Sequence, residues 1–135
     1  MIALCLSAGC HPVSRRPRMN PACARATELA LRSGRAVTAL HVGDPANPAL
    51  RDYLGLGLPS MTVLDTGGPA DALPALIEEL ALLSPRIILC GDVTEAGEGG
   101  GMLPYALAGR LGMAVLAGIV ALEGETIVQS VSPRV

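Results

Sequence analysis

The residues richest in chemistry form one run: Gly91, Asp92, Val93, Thr94, Glu95, Ala96, Gly97, Glu98, Gly99, Gly100 and Gly101. Glycines lack a Cβ, so their backbone N–H groups can approach an anion closely. A helix predicted to begin at Met102 adds partial positive charge at its N-terminus. Thr94 offers a hydroxyl, and Glu95 and Glu98 can accept hydrogen bonds from ribose hydroxyls or an adenine amino group. On spacing alone, the run reads equally as a phosphate cradle and as a surface loop of a Gly-rich chain.

Two familiar phosphate motifs are missing. There is no G-x-x-x-x-G-K-[ST], which excludes a P-loop enzyme. The first apolar run ends in Ser7, Ala8, Gly9 and Cys10 rather than G-x-G-x-x-G, which disfavours an ordinary dinucleotide dehydrogenase. No catalytic constellation stands out. His11 has Ser7 and Ser14 nearby but no carboxylate spaced to orient it, and it reads as a surface histidine. His41 closes a predicted strand, either as a satisfied near-core side chain or as a ligand contact, and the first reading is preferred. Arg15, Arg16 and Arg18 suit a phosphate, an acidic partner surface or a solvated loop. Cys5, Cys10, Cys23 and Cys90 contain no C-x-x-C pair, so no zinc site is expected. Cys5 and Cys90 lie in apolar runs and read as buried, inert thiols.

The elements that must position these groups follow from composition and periodicity. The 135 residues make a single domain, residues 1–135, and half of them are hydrophobic. Phe and Trp are absent, and Tyr53 and Tyr105 are the two aromatics, so the core is aliphatic, with Ala and Gly permitting close helix-to-sheet approach. That suits a buried parallel sheet covered by helices. Strands are predicted at residues 2–7, 36–42, 60–64, 86–90, 114–122 and 125–131, with helices at 22–32, 48–55, 71–83 and 102–111. Asn20-Pro21 and Asn47-Pro48 supply cap-plus-proline starts, and Gly34 and Pro85 supply stops. The order β-α-β-α-β-α-β-α-β-β predicts a Rossmann-like three-layer α/β/α fold. Its sheet is mostly parallel, and the C-terminal hairpin adds an antiparallel edge. In such sheets ligands bind beyond the C-terminal strand ends, where the strand order reverses. The loops leaving those ends are residues 7–20, 41–44 and 91–101.

A net charge of −2 offers no basic excess for a nucleic-acid backbone and no polybasic run for an anionic membrane. The apolar N-terminus lacks the basic region of a signal peptide, and no apolar run reaches the length of a membrane span. A reducing cytoplasm is the simplest compartment.

Four segments resemble electron transfer flavoprotein β subunits. The first is an opening strand, a long loop and the Ala-rich helix Ala24-Arg25-Ala26-Thr27-Glu28-Leu29-Ala30-Leu31. The second is Val37-Thr38-Ala39-Leu40-His41-Val42-Gly43-Asp44-Pro45, followed by Leu50-Arg51-Asp52-Tyr53-Leu54-Gly55-Leu56-Gly57, similar to the family's strand ending in glycine and its "L-R-x-x-L-x-x-G". The third is Ile87-Ile88-Leu89-Cys90-Gly91. The fourth is Gly101-Met102-Leu103-Pro104-Tyr105-Ala106-Leu107-Ala108-Gly109-Arg110-Leu111-Gly112, similar to "G-x-x-P-x-x-L-A-x-x-L-G".

The resemblance implies a non-catalytic subunit that binds AMP, or FAD in bifurcating members. It pairs with an α subunit carrying the redox FAD, and the pair moves electrons from flavin dehydrogenases to an acceptor. Carried across, Ser7, Ala8 and Gly9 flank the adenosine. His41, Gly43 and Asp44 border the ribose. Gly91, Thr94, Gly97, Glu98, Gly99, Gly100, Gly101 and Met102 wrap the phosphate. The loop departs from the family's Asp-x-Asp and Gln-[TV], with Ala96-Gly97-Glu98 and Gly101-Met102 in their place. That removes the family's side-chain contacts to phosphate and leaves its backbone contacts. Family members continue beyond the position of Val135, so the chain reads as a truncated or divergent short form without the dehydrogenase-docking loop. The Ala8-Gly9-Cys10-His11-Pro12 start and the Gly101-Met102-Leu103-Pro104 segment resemble a bacterial subgroup serving methylated-amine dehydrogenases. Two other readings stay open. One is a stand-alone adenine-nucleotide-binding domain of stress-sensor or hydrolase type, although its G-x-x-G-x9-G-[ST] is not reproduced. The other is a structural subunit that has lost the nucleotide.

Overall fold

A computed structural model of the chain describes residues 1–10, 13–65, 72–91, 103–116, 119–123 and 126–129. Its centre is a four-stranded parallel sheet in the order β5-β4-β1-β6: β1 is Ile2–Cys5, β4 is Val37–Val42, β5 is Thr62–Leu64 and β6 is Ile87–Cys90. β1 is buried along its whole length, as an unbroken apolar run in a parallel sheet should be. Cα partners run from Ile2↔Val37 to Cys5↔Leu40 on one side and from Ile2↔Ile87 to Cys5↔Cys90 on the other.

Side chains alternate across this sheet and divide the core in two. Ile2, Leu4, Leu6, Ala39 and Leu89 face one way, toward helix α1 (Pro21–Arg32) and helix α2 (Ala49–Gly55). Ala3, Cys5 and Leu40 face the other, toward Leu76 and Leu80 of α3 (Ala72–Leu83) and Leu107 of α4 (Leu103–Leu111). The three-layer arrangement expected from the β/α alternation is therefore present. Chain order explains it. The first two crossovers move outward from β1 to β4 and then to β5. The third carries the chain back past β1 to β6, and right-handed crossovers then put its helix on the opposite face.

Two expectations differ from what is seen. Residues 7–20 are not an irregular loop, because β2 (Ala8–Cys10) pairs antiparallel with β3 (Pro17–Met19). Strands this short carry no readable periodicity, and the ribbon gains its support from α2, which packs against both of its strands. The C-terminal strands β7 (Ile119–Glu123) and β8 (Thr126–Gln129) pair antiparallel with each other. Among the described residues, however, they form their own two-stranded sheet and add no edge to the parallel one. A register shift between Ile119 and Ala121 twists this ribbon, and Ile119 and Leu122 join the core on the α1 side.

The loops are tied down by polar contacts inside the apolar frame. Tyr53 is fully buried. Its hydroxyl donates to the Ser7 carbonyl at 2.7 Å and accepts from the Asn20 N–H at 2.8 Å. Asn20 is extended (φ −69°, ψ 127°), and its Oδ1 accepts from the N–H groups of Ala22 and Cys23. Gly91, just beyond β6, touches this same corner. A Cβ there would lie 2.8 Å from Cys23 Sγ, 3.0 Å from Cys23 N and 3.2 Å from Ala22 Cβ.

Tyr53→Phe keeps the ring but leaves the Ser7 carbonyl and the Asn20 N–H without their partner. The expected loss is about 1–3 kcal/mol, read as a lower urea midpoint at unchanged slope. An unmoved midpoint would show that the hydroxyl does not join these elements. Gly91→Ala forces a methyl against the first turn of α1, whose backbone cannot give way as a side-chain tip can. It should cost about 1–3 kcal/mol and lower the thermal midpoint.

Candidate functional site

The strand order reverses between β1 and β6: the first two crossovers run from β1 through β4 to β5, and the third returns to β6 on the other side of β1. A crevice at their C-terminal ends is the place a doubly wound sheet offers a ligand. Ser7 and Gly91 border it, one residue past Leu6 and one past Cys90, and the sequence had singled out both. Ser7 is tied to α1 as well as to Tyr53: its Oγ lies 3.4 Å from Cys23 Sγ, and its N–H donates to that sulfur at 3.5 Å. Ala8 and Gly9 follow in β2, opposite Met19 and Arg18.

The N-terminus of α1 opens toward this crevice, yet its donors are already engaged. Pro21 has no N–H. Ala22 and Cys23 donate to the Asn20 side chain, and Ala24 donates to the Asn20 carbonyl at 2.9 Å. With the Asn20 N–H donating to the Tyr53 hydroxyl, the four positions that a helix start usually leaves unsatisfied, Asn20 to Cys23, are accounted for. An anion gains no free backbone donors there, in contrast to the glycine-rich turn of dinucleotide dehydrogenases. α4 carries Pro104 in its first turn.

His41 sits at the end of β4 and is buried. Its Nδ1 lies 2.9 Å from the Leu6 carbonyl, so Nδ1–H donates and Nε2 is the ring nitrogen turned away from that bond. This is the satisfied near-core histidine that the sequence suggested, and it ties β4 to the exit of β1. Gly43 follows with φ +151°, and a Cβ there would stand 2.8 Å from His41 Nε2. The glycine leaves room for the imidazole in a backbone conformation that other residues rarely adopt. Asp44 is exposed and closes a turn, its Oδ1 accepting from the Ala46 N–H at 2.9 Å. Asn47 does the same for α2, accepting from the Ala49 N–H at 2.9 Å.

Ser7, His41 and Gly91 thus come together around the ends of β1, β4 and β6. Asp44 lies on the outer side, on the turn that leads to α2. Thr94, Gly97, Glu98, Gly99, Gly100, Gly101 and Met102 lie outside the described residues, as do His11 and Pro12. The sequence reading missed Tyr53. The signal was present, since a tyrosine in an otherwise aliphatic core brings a hydroxyl that must find partners. A groove of about 340 Å³ lies elsewhere, between α2 and the outer strand β5, with Asn47, Arg51, Leu54 and Met61 among its walls. It is separate from the crevice. Among the described residues, no group of three or more His, Cys, Asp or Glu side chains could hold a metal ion, and no helix is long and apolar enough to cross a membrane.

Comparison with known proteins agrees with the motif resemblance. The family model for the electron transfer flavoprotein domain matches residues 13–133. The chain is 40% identical over 126 residues to an electron transfer flavoprotein subunit beta from Chromohalobacter salexigens, a match that covers 90% of this chain and 47% of that protein. The chain therefore spans about half the length of the curated relative it matches. No solved structure matches it. With the family model covering most of its length and a doubly wound sheet beneath the matching motifs, this chain belongs to the electron transfer flavoprotein family.

Proposed function

We propose that the chain is the nucleotide-binding part of an electron transfer flavoprotein β subunit. It binds AMP, or FAD in its place, and pairs with an α subunit that carries the redox FAD. The observation that carries this reading is the closed N-terminus of α1. With Asn20 occupying the donors of Ala22 and Cys23, this reading gives the anion to Gly91 and the glycine-rich segment that follows it in the sequence. This is the segment that the family resemblance assigns to the phosphate.

The residues fit an adenine nucleotide in chemical type. Ser7, Ala8 and Gly9 lie on the β1 side and would flank the adenosine. His41, held as the Nδ1–H tautomer, would turn its Nε2 acceptor toward a ribose hydroxyl, with Gly43 leaving the space and Asp44 bordering it. Gly91, Thr94, Gly97, Glu98, Gly99, Gly100, Gly101 and Met102 would surround the phosphate, mainly through backbone N–H groups. A bound flavin supplies the electron-carrying chemistry. The chain's own part is to hold the nucleotide and present a surface to the α subunit, with no catalytic residue of its own. The electron donors would be flavin dehydrogenases, of methylated-amine type if the subgroup resemblance extends to function, and the compartment would be the cytoplasm.

Co-expression with the neighbouring α-subunit gene, followed by acid extraction and chromatography of the bound nucleotides, tests this reading. A yellow complex that releases FAD and AMP is the expected result, and two equivalents of FAD would indicate a bifurcating member. A chain that ignores the α subunit and releases no nucleotide would overturn the proposal and leave a family domain used as a structural subunit. A chain that binds ATP alone and hydrolyses it would favour a stand-alone nucleotide-binding domain instead.

A further inference from the structure

Cys5 and Cys90 end the neighbouring strands β1 and β6, and they are direct register partners across this parallel pair. Both side chains lie on the same face of the sheet, in the core cluster closed by α3 and α4. Both are free thiols, Cys5 buried and Cys90 half-buried. Neighbouring strands lie about 4.8 Å apart, inside the roughly 4.4–6.8 Å Cα separation that a disulfide bridges. Read singly along the sequence, each is an inert core thiol, but the parallel register makes them a pair.

We propose that Cys5 and Cys90 form a redox-responsive dithiol, which hydrogen peroxide converts to a disulfide that staples β1 to β6 at the mouth of the crevice. The Cys90 thiolate attacks one peroxide oxygen, the O–O bond breaks, and the departing hydroxide takes a proton to leave as water. Cys90 is then a sulfenic acid. The Cys5 sulfur attacks the Cys90 sulfur, the S–O bond breaks as the S–S bond forms, and the hydroxyl leaves with the Cys5 proton as a second water. Two thiols lose two electrons in total, and one peroxide is reduced to two waters.

The environments assign the two roles. Hydrogen bonding to Cys90, together with burial, pushes the Cys5 thiol well above its ordinary pKa. The hydrogen bond from Cys5 lowers Cys90, outweighing the opposing effect of burial. Cys90, the less buried of the two and the one whose thiol is shifted down, is the group that meets oxidant, and Cys5 is the resolving thiol. Cys23 is also free, but it belongs to α1 and to the core cluster on the other face of the sheet.

The test uses the full chain. It is titrated with hydrogen peroxide, its remaining thiols are alkylated under denaturing conditions, and its peptides are mapped by mass spectrometry without reduction. The expected product is a Cys5–Cys90 linked peptide, two hydrogens lighter than its parts, which dithiothreitol abolishes. Cys5→Ser should stop the chemistry at Cys90 sulfenic acid, trapped by dimedone. Should that buried substitution unfold the chain, Cys90→Ser, at the less buried position, serves instead: Cys5 should then stay reduced at peroxide levels that consume it in the parent chain. Overoxidation of Cys90 with Cys5 still reduced would overturn the proposal. So would linkage of Cys90 to Cys10 or Cys23, or thiols that all remain unchanged. The readout is sulfur chemistry alone, so the result stands whether or not a nucleotide occupies the crevice.

Discussion

The Tyr53 hydroxyl is the constraint around which the crevice is built. It is one atom, buried in an aliphatic core, that both donates and accepts. Its two partners are backbone groups that no regular element would satisfy: the carbonyl just past β1 and the N–H just before α1. Buried groups of that kind are costly to leave unpaired, so they fix the path of the chain wherever a partner can be found. Here the partner comes from α2, the helix that also packs against the β2–β3 ribbon. The ribbon β2–β3 closes between the two anchored points, and Asn20 is held where its side chain can cap α1. The first turn of α1 then sits close enough to Gly91 that nothing larger than hydrogen fits between them.

Much of this was legible in the sequence, for identifiable reasons. The parallel strands announced themselves because burial on both faces leaves unbroken apolar runs such as Ile2-Ala3-Leu4-Cys5. Helix α1 did so through Asn20-Pro21, whose geometry has a local cause. The β2–β3 ribbon was hidden because Ala8-Gly9-Cys10 and Pro17-Arg18-Met19 have no alternating pattern, and what supports them lies more than thirty residues further on, in α2. The position of β7–β8 was hidden for a related reason. A bulge sets which way a ribbon turns, and nothing in Ile119-Val120-Ala121 marks one. The register of Cys5 with Cys90 was equally out of reach, since sequence gives strands but not how far each slides along its neighbour.

The glycines show how a motif can carry more than one meaning. Gly91 was read as a nucleotide contact, and the geometry shows that it is needed where β6 abuts α1. Gly43 was read in the same way and makes room for His41. Such positions would be retained for packing even in a chain that bound nothing. Membership of the electron transfer flavoprotein family therefore explains the scaffold more firmly than it explains the ligand.

A molecule with no tryptophan and one fixed tyrosine is nearly silent in the near ultraviolet. Tyr53 is enclosed and held by two hydrogen bonds, whereas Tyr105 is 57% exposed. The aromatic circular dichroism of the chain is consequently a one-residue signal from the corner that joins β1, α1 and α2. An adenine or flavin held beside it would dominate the absorbance around 260–280 nm. Concentrations taken from light absorption would then measure cargo as much as protein, and the optical contrast between the loaded and empty chain would be far larger than in most proteins of this size.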